Sequence, residues 1–163
     1  MHGISVRAAF YLSKLCLPYL KQSENPHVIF MVPPINLENK LFMTAHLGYT
    51  TSKFGVAMMA RGLAAEFEDE VAFNTLWPRT GIDTNAIKNV TNSDAVSMIL
   101  RRPEIMGKAA ITIFKSDISK FTGHHFIDDE VLIGAGLETM SSLNKYNCNP
   151  DTPDYILVPD LLL

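Results

Sequence analysis

Two short, largely apolar runs constrain the fold of this chain more than any other feature of its sequence. They are His27–Val32 (HVIFMV) and Val71–Leu76 (VAFNTL), and each has the length of a β-strand. Strands that are apolar on both faces are typical of a parallel sheet covered by helices on its two sides. Between the runs, residues 49–67 carry apolar side chains at helical spacing, which predicts the helical crossover that parallel strands require.

Further helices and a third strand extend this pattern. They are predicted over residues 4–21, 84–100 and 103–115 and, for the short strand, over His124–Ile127. The alternation predicts an α/β fold, namely a partial Rossmann-like, doubly wound parallel sheet of about three strands with flanking helices. Because three strands make a narrow sheet, His27–Val32 would be a long apolar edge, which is typical of part of a larger sheet.

Length and composition predict one globular unit. The chain has 163 residues, 47% of them hydrophobic, and a net charge of −3. We expect the folded domain over residues 1–136 and an irregular, proline-containing tail over residues 137–163. The net negative charge and the lack of a run of basic residues exclude the basic surface that is typical of a nucleic-acid-binding protein. No stretch of 18 consecutive apolar residues occurs, so no membrane span is expected.

Cysteine and histidine usage predicts neither a disulfide framework nor a metal site. Cys16 and Cys148 lie far apart and have no CxxC partner. His124 and His125 are adjacent in a predicted strand, so their side chains point to opposite faces and cannot bind one metal ion together. The first twenty residues lack the pattern of a signal peptide, which predicts an intracellular protein.

The segment Gly48–Lys53 (GYTTSK) holds the strongest chemical pattern in the chain. Tyr49 and Lys53 are four residues apart, so on a helix they share one face. A lysine ammonium beside a phenol favours the phenolate, and a free tyrosine with a pKa of about 10 needs such help to act as an acid or base near neutrality. The spacing alone also fits an unremarkable surface pair of Tyr and Lys.

The context of this pair resembles the short-chain dehydrogenase/reductase family. The matching motifs are the helix start AHLGYTTSKFG and the segment LWPRTGIDT after the second apolar run. The resemblance covers about residues 4–135 and corresponds to the C-terminal half of a dehydrogenase domain. It implies oxidation or reduction of an alcohol or carbonyl, of a steroid or lipid-like kind, with NAD or NADP as cofactor.

The resemblance also implies roles for five residues. Tyr49 would be the catalytic acid and base, and Lys53 would bind the cofactor ribose and lower the pKa of Tyr49. Pro78, Ile82 and Thr84 would line the cofactor-binding loop on the nicotinamide side, with Thr84 near the carboxamide or the phosphates.

Three positions depart from the family pattern. The catalytic serine aligns on Val32, the structural asparagine on Ser5 and the glycine of the Pro-Gly segment on Arg79. Valine cannot donate a hydrogen bond to a substrate oxygen. Thr44 and Ser52 are nominated as substitutes for this serine, but neither occupies the family position.

The glycine-rich turn that binds a pyrophosphate is the other missing feature. Dinucleotide binding needs such a turn between a strand and a helix, and Gly134-Ala135-Gly136 lacks the third glycine and the βαβ context. These departures predict impaired catalysis in the chain as it stands.

Two further hypotheses stay open beside the impaired dehydrogenase. In the family, the helices that match residues 4–21 and 49–67 form a dimer contact, so the chain could be a non-catalytic partner in a homodimer or a heterodimer with a full-length relative. The same substitutions also fit a relic without function. By resemblance the organelle would be the peroxisome or the mitochondrion, although the sequence carries no targeting signal for either.

Overall fold

A computed structural model describes residues 1–38, 40, 44, 46–91 and 100–152 of the chain. The helices in these ranges are Ala8–Leu20 (α1), Leu47–Glu66 (α2), Asn85–Thr91 (α3), Glu104–Phe114 (α4) and Asp128–Gly134 (α5). The strands are His27–Phe30 (β1), Ala72–Trp77 (β2) and His125–Ile127 (β3), and two short helices of other types are the π-helical Gly3–Arg7 and the 3₁₀-helical Ser141–Tyr146. The chain forms two compact units, described separately below.

The first unit comprises Met1–Trp77 and Ile113–Phe126 and contains most of the sheet. Its strands lie in the order β1-β2-β3, and β1 pairs with β2 in parallel, with His27 opposite Ala72. The α/β fold with a parallel strand pair and flanking helices is therefore confirmed.

The core of the first unit lies on β2, which is buried along its whole length. Phe73 is fully buried and lies 6.3 Å from Phe30, ring centroid to centroid. Leu63 and Ala64 of α2 pack on this layer, and Leu17 of α1 covers it from the edge. The largely apolar sequence VAFNTL predicts a strand that is buried on both faces. Its two polar side chains can be buried as well, because both have hydrogen-bond partners inside the unit.

Those polar side chains fix the position of β3. Asn74 donates from Nδ2 to the carbonyl of Phe121 at 2.6 Å and accepts at Oδ1 from the backbone N–H of His124 at 3.0 Å. Thr75 Oγ1 lies 2.8 Å from Nδ1 of His125. Gly123 turns the chain into this strand with φ +75°, and a Cβ there would stand 2.6 Å from Arg61 Nη1, so any other residue would be strained.

The second unit comprises Pro78–Thr112 and Ile127–Asp160. Its buried apolar side chains include Leu100, Ile105, Ala109, Leu132 and Leu143, which come from four sequence segments. The predicted tail begins inside this unit. Within the described part of that tail, Ser141–Tyr146 is a 3₁₀ helix with Leu143 and Tyr146 buried.

Element ends differ from the sequence-based expectations by one to three residues. β1 ends at Phe30 rather than at Val32, because Pro33 and Pro34 follow and the chain turns before them. α2 begins at Leu47 rather than at Tyr49. Of the helix predicted over 84–100, residues 85–91 are helical, while residues 92–99 lie outside the described residues. No helix in the described ranges is long and apolar enough to cross a membrane.

Candidate active site

Tyr49 and Lys53 lie together on the first turns of α2. Their four-residue separation spans about one helical turn, so both side chains project from the same face. The Lys53 Nζ atom lies 5.5 Å from the centroid of the Tyr49 ring. The pair predicted from the sequence is thus arranged with the ammonium over the face of the phenol ring.

Lys53 reaches from α2 to the ends of both parallel strands. Its Nζ donates a hydrogen bond of 2.8 Å to the carbonyl oxygen of Met31, the residue after β1. The same atom lies 5.3 Å from the ring centroid of Trp77, the last residue of β2. The carboxyl ends of parallel strands are where ligands bind in open α/β sheets, so the ammonium occupies the expected edge for a site.

Trp77 belongs to this cluster and was not predicted from the sequence. Its side chain is buried, and its indole Nε1 has no hydrogen-bond partner within the described residues. The sequence does contain a signal, since Trp77 closes an apolar strand directly before the proline of the family motif. An indole N–H that is buried beside a lysine is a donor available to a ligand at this edge of the sheet.

Val32 lies in the core of the first unit. It is buried and packs against Val56 and Ala57 of α2. The position that corresponds to the family's serine therefore contributes an apolar side chain without a donor.

The hydroxyls nominated as substitutes are engaged with the backbone. Ser52 is buried and donates to the carbonyl of Tyr49 at 2.7 Å, one turn back on the same helix. Thr44 donates to the carbonyl of Lys40 at 2.9 Å. A hydroxyl bonded to its own helix is poorly placed to polarise a substrate oxygen.

The three residues assigned to the cofactor-binding loop lie in the second unit. Pro78 and Ile82 are buried, whereas Thr84 is exposed. Ile82 forms a parallel β-bridge with Arg101, and Asp83 N–H donates to the carbonyl of Arg101 at 2.8 Å. Backbone hydrogen bonds between Arg101 and the residues on either side of Ile82 therefore fix the loop at this point.

Arg79, which stands in place of a glycine, binds the acidic start of α5. Its backbone N–H donates to Asp128 Oδ1 at 2.9 Å, and its Nε lies 3.1 Å from Asp129 Oδ2. Its Nη2 also pairs with Glu130. Burial raises the pKa of Asp128 to about 6, against the opposing effect of the N–H donors of Arg79 and Asp129. Asp128, Asp129 and Glu130 form the first turn of α5.

The two adjacent histidines at the start of β3 have structural partners. His125 pairs with Thr75, and its pKa is lowered by burial and by the nearby Arg61. His124 lies 3.2 Å from the carbonyl of Lys120. Among the described residues, no group of three or more His, Cys, Asp or Glu side chains could hold a metal ion.

One protein family has a model that matches the part of the chain that contains this site. The family model for short chain dehydrogenases matches residues 1–95, which include α1, β1, α2, β2 and the Tyr49–Lys53 pair. The chain belongs to the short-chain dehydrogenase family. Hydroxysteroid dehydrogenase-like protein 2 from Danio rerio is 39% identical over all 163 residues, and the chain spans 37% of the length of that relative.

Solved short-chain dehydrogenases share the fold. A crystal structure described as a dehydrogenase from Xanthomonas campestris is 41% identical, with a TM-score of 0.85 over 98% of this chain and 56% of its own. A short-chain dehydrogenase from Shigella flexneri 2a, solved in complex with NADP, has a TM-score of 0.64 at 22% identity, which shows the fold alone. The match corresponds to the C-terminal half of a dehydrogenase domain.

Proposed function

We propose that this chain carries the acid–base centre of a nicotinamide-dependent oxidoreductase acting on an alcohol or carbonyl, and that its catalysis is impaired. The observation that supports the proposal is the position of Lys53, with its Nζ over the Tyr49 ring, beside Trp77 and bonded to the Met31 carbonyl. An apolar, steroid-like or lipid-like substrate is suggested by the name of the Danio rerio relative.

In this proposal Tyr49 exchanges the proton at the substrate oxygen. A phenol needs a stabilised phenolate to do so near neutral pH, and the Lys53 ammonium supplies the positive charge. When bound, NAD or NADP supplies or accepts the hydride.

The residues present fit part of a cofactor site. Lys53 presents an ammonium, and Trp77 presents a buried indole N–H without a partner in the described part of the chain, at the strand ends where a ribose and nicotinamide would lie. We assign Lys53 to the ribose hydroxyls. In the second unit, Pro78, Ile82 and Thr84 remain the residues predicted to line a cofactor-binding loop.

The proposed impairment follows from Val32. Catalysis of carbonyl chemistry depends on donors aimed at the oxygen where negative charge develops. Val32 offers none, and Ser52 and Thr44 are bonded to backbone carbonyls.

Cofactor binding by the purified chain tests the proposal directly. Trp77 is the single tryptophan in the sequence, so NADH or NADPH bound near Lys53 should quench its fluorescence in a saturable manner. We expect Lys53→Ala to weaken this binding about tenfold or more, and Tyr49→Phe to leave it within about twofold.

The matched control is Lys14→Ala, which removes an exposed lysine of α1. Equal quenching curves for Lys53→Ala and Lys14→Ala would exclude Lys53 as a cofactor ligand. A folded wild-type chain that does not respond to either nucleotide would exclude the oxidoreductase proposal.

A second candidate function is a dimerisation partner. It is favoured by the apolar side chains that α1 and α2 leave exposed, among them Phe10 (45%) and Met58 (66%). Light scattering should then give the mass of a dimer for the wild-type chain and of a monomer for Met58→Glu. A wild-type chain that is monomeric, and that does not capture the Danio rerio relative in a pull-down, would exclude this function.

A further inference from the structure

The Lys53 ammonium lies over two aromatic rings as well as beside a backbone carbonyl. Its Nζ atom is 5.5 Å from the ring centroid of Tyr49 and 5.3 Å from that of Trp77. The same atom donates to the carbonyl oxygen of Met31 at 2.8 Å. A cation within about 6 Å of a ring centroid is attracted by the electron-rich face of the ring, so both rings contribute to where the ammonium lies.

Trp77 is the most deeply buried of the three side chains. It is 8% exposed and ends β2, a strand that is buried along its whole length. Tyr49 and Lys53 are only half-buried on the first turns of α2. The long lysine stem has many rotamers and loses entropy when it is held in one of them, whereas a tryptophan has only two side-chain torsions. The indole ring is therefore a fixed surface against which the flexible ammonium is held.

The position of this charge matters for the ionisation of Tyr49. The attraction between an ammonium and a phenolate weakens with distance and with the access of water, so the ammonium must stay beside the phenol to stabilise its ionised form. The Met31 carbonyl engages one of the three N–H donors of Lys53, and a flexible stem can keep one such bond in several orientations. The ring face of Trp77 narrows this range, because it attracts the charge towards the end of β2.

We propose that Trp77 is a positioning residue whose indole ring holds the Lys53 ammonium beside Tyr49. Trp77 does not exchange a proton itself, and it acts on the phenol through Lys53. This role uses the ring face and is separate from that of the indole N–H. The inference rests on the proposed function for its use in proton exchange, whereas the arrangement itself belongs to the chain without a cofactor.

A pH titration of Tyr49 by NMR tests the proposal on the full chain. Tyrosine labelled with ¹³C at Cζ gives one resonance for each of the five tyrosines, and Tyr49→Phe identifies the resonance of Tyr49. In Trp77→Leu the apparent ionisation constant of Tyr49 should fall about two- to fivefold, which corresponds to the loss of a partly exposed cation–π contact. Trp77→Phe keeps a ring face, so its value should lie between those of the wild type and Trp77→Leu.

Fluorinated tryptophan tests the same contact with the packing of β2 nearly unchanged. Trp77 is the single tryptophan of the chain, so 5-fluorotryptophan or 5,7-difluorotryptophan supplied during expression labels this position alone. Fluorine withdraws electron density from the ring face and so weakens its attraction for a cation. The ionisation constant of Tyr49 should fall in the order unlabelled, monofluorinated and difluorinated chain. If Trp77→Leu does not fold, these chains decide the question.

Two variants separate positioning from a general loosening of the unit. Phe73→Leu also replaces a buried aromatic side chain of β2, one that packs against Phe30 and Phe67, and it should leave the titration of Tyr49 unchanged. In Lys53→Met the ammonium is absent, so the addition of Trp77→Leu should cause no further fall in the ionisation constant.

Each outcome decides the proposal. A titration of Tyr49 that difluorotryptophan does not change overturns it. An equal change in Phe73→Leu, or a further fall when Trp77→Leu is added to Lys53→Met, also overturns it, because the effect then does not pass through the ammonium. All of these titrations are made without nucleotide. A chain that follows the expected order but binds neither NADH nor NADPH would therefore uphold the role of Trp77 and refute the proposed oxidoreductase function.

Discussion

Val32 is the residue on which the proposed impairment depends. Restoring a hydroxyl there with Val32→Ser should raise the turnover of a carbonyl substrate on the order of 10²–10³-fold, the size of the loss when a single oxyanion donor is removed. The measurement is NADPH oxidation with a panel of apolar ketones.

The matched control for that substitution is Val32→Ala. It removes similar volume from the packing against Val56 and Ala57 but adds no donor. If Val32→Ser and Val32→Ala have the same turnover, the missing hydroxyl does not limit catalysis.

For single residues, the sequence predicts which side chains form the candidate site better than it predicts what those side chains contact. The four-residue spacing of Tyr49 and Lys53 predicts their shared helix face, because that contact is local. The contacts of Lys53 with Met31 and Trp77 depend on how two strands end beside α2, and no local pattern encodes that. Arg79 illustrates the same limit, since its carboxylate partners lie about fifty residues further along the chain.

The 3₁₀ helix Ser141–Tyr146 depends on a single buried carboxylate. Glu138 accepts hydrogen bonds from Lys145 at 2.6 Å, from Ser142 Oγ at 2.7 Å and from Tyr146 Oη at 2.8 Å. Lys108 of α4 pairs with the same group. Glu138 therefore joins α4 to the 3₁₀ helix, and its pKa is held well below the usual range by these donors.

Replacing this carboxylate should loosen the element. Glu138→Gln keeps the shape but removes the charge, so we expect the free energy of unfolding to fall by about 1–3 kcal/mol. Urea denaturation followed by far-UV circular dichroism measures the change. Glu24→Gln, at an exposed turn, is the control, and an equal effect of the two substitutions would contradict the central role of Glu138.

The helices and strands that the sequence predicts well are those with a strong local pattern. Pro33 and Pro34 stop β1, and the long apolar pattern of α2 specifies its helix. After Gly136 the apolar periodicity is lost, which favoured an irregular tail. Leu143 and Tyr146 are nevertheless buried there, because the contacts that order Ser141–Tyr146 come from Glu138 and Lys108 rather than from a helical repeat.

For the molecule as a whole, the order of helices and strands in the sequence predicts the α/β class. It does not predict how well the edge strand β1 is covered. The sequence HVIFMV predicts a strand covered on both faces. In the structure, β1 is only half-buried along its length and pairs with β2 alone among the described strands. A pattern of apolar residues predicts that a strand packs against apolar surfaces, and it does not identify the segments that form those surfaces.

Two carboxylates should give the whole chain an unusual dependence of stability on pH. Burial raises the pKa of Asp128 to about 6, so the folded state holds its proton more tightly than the unfolded state. The free energy of unfolding should therefore fall as pH rises from about 4 to about 6, by up to about 3 kcal/mol. The lowered pKa of Glu138 acts in the opposite sense, since its stabilisation is complete above about pH 4.5 and is lost only in stronger acid.

The contribution of these two carboxylates to stability is largest near pH 4–5, below the neutral range. Asp128→Asn cannot ionise, yet it can still accept from the N–H groups of Arg79 and Asp129, so its stability should not fall between pH 4 and pH 7, and the lowered pKa of His125 should make it rise towards pH 7. Urea midpoints at half-unit pH steps measure both curves, with Glu24→Gln as a control that should follow the wild type. Parallel decline of the wild type and Asp128→Asn would assign the pH dependence to another group, because only the titration of Asp128 distinguishes the two proteins over this range.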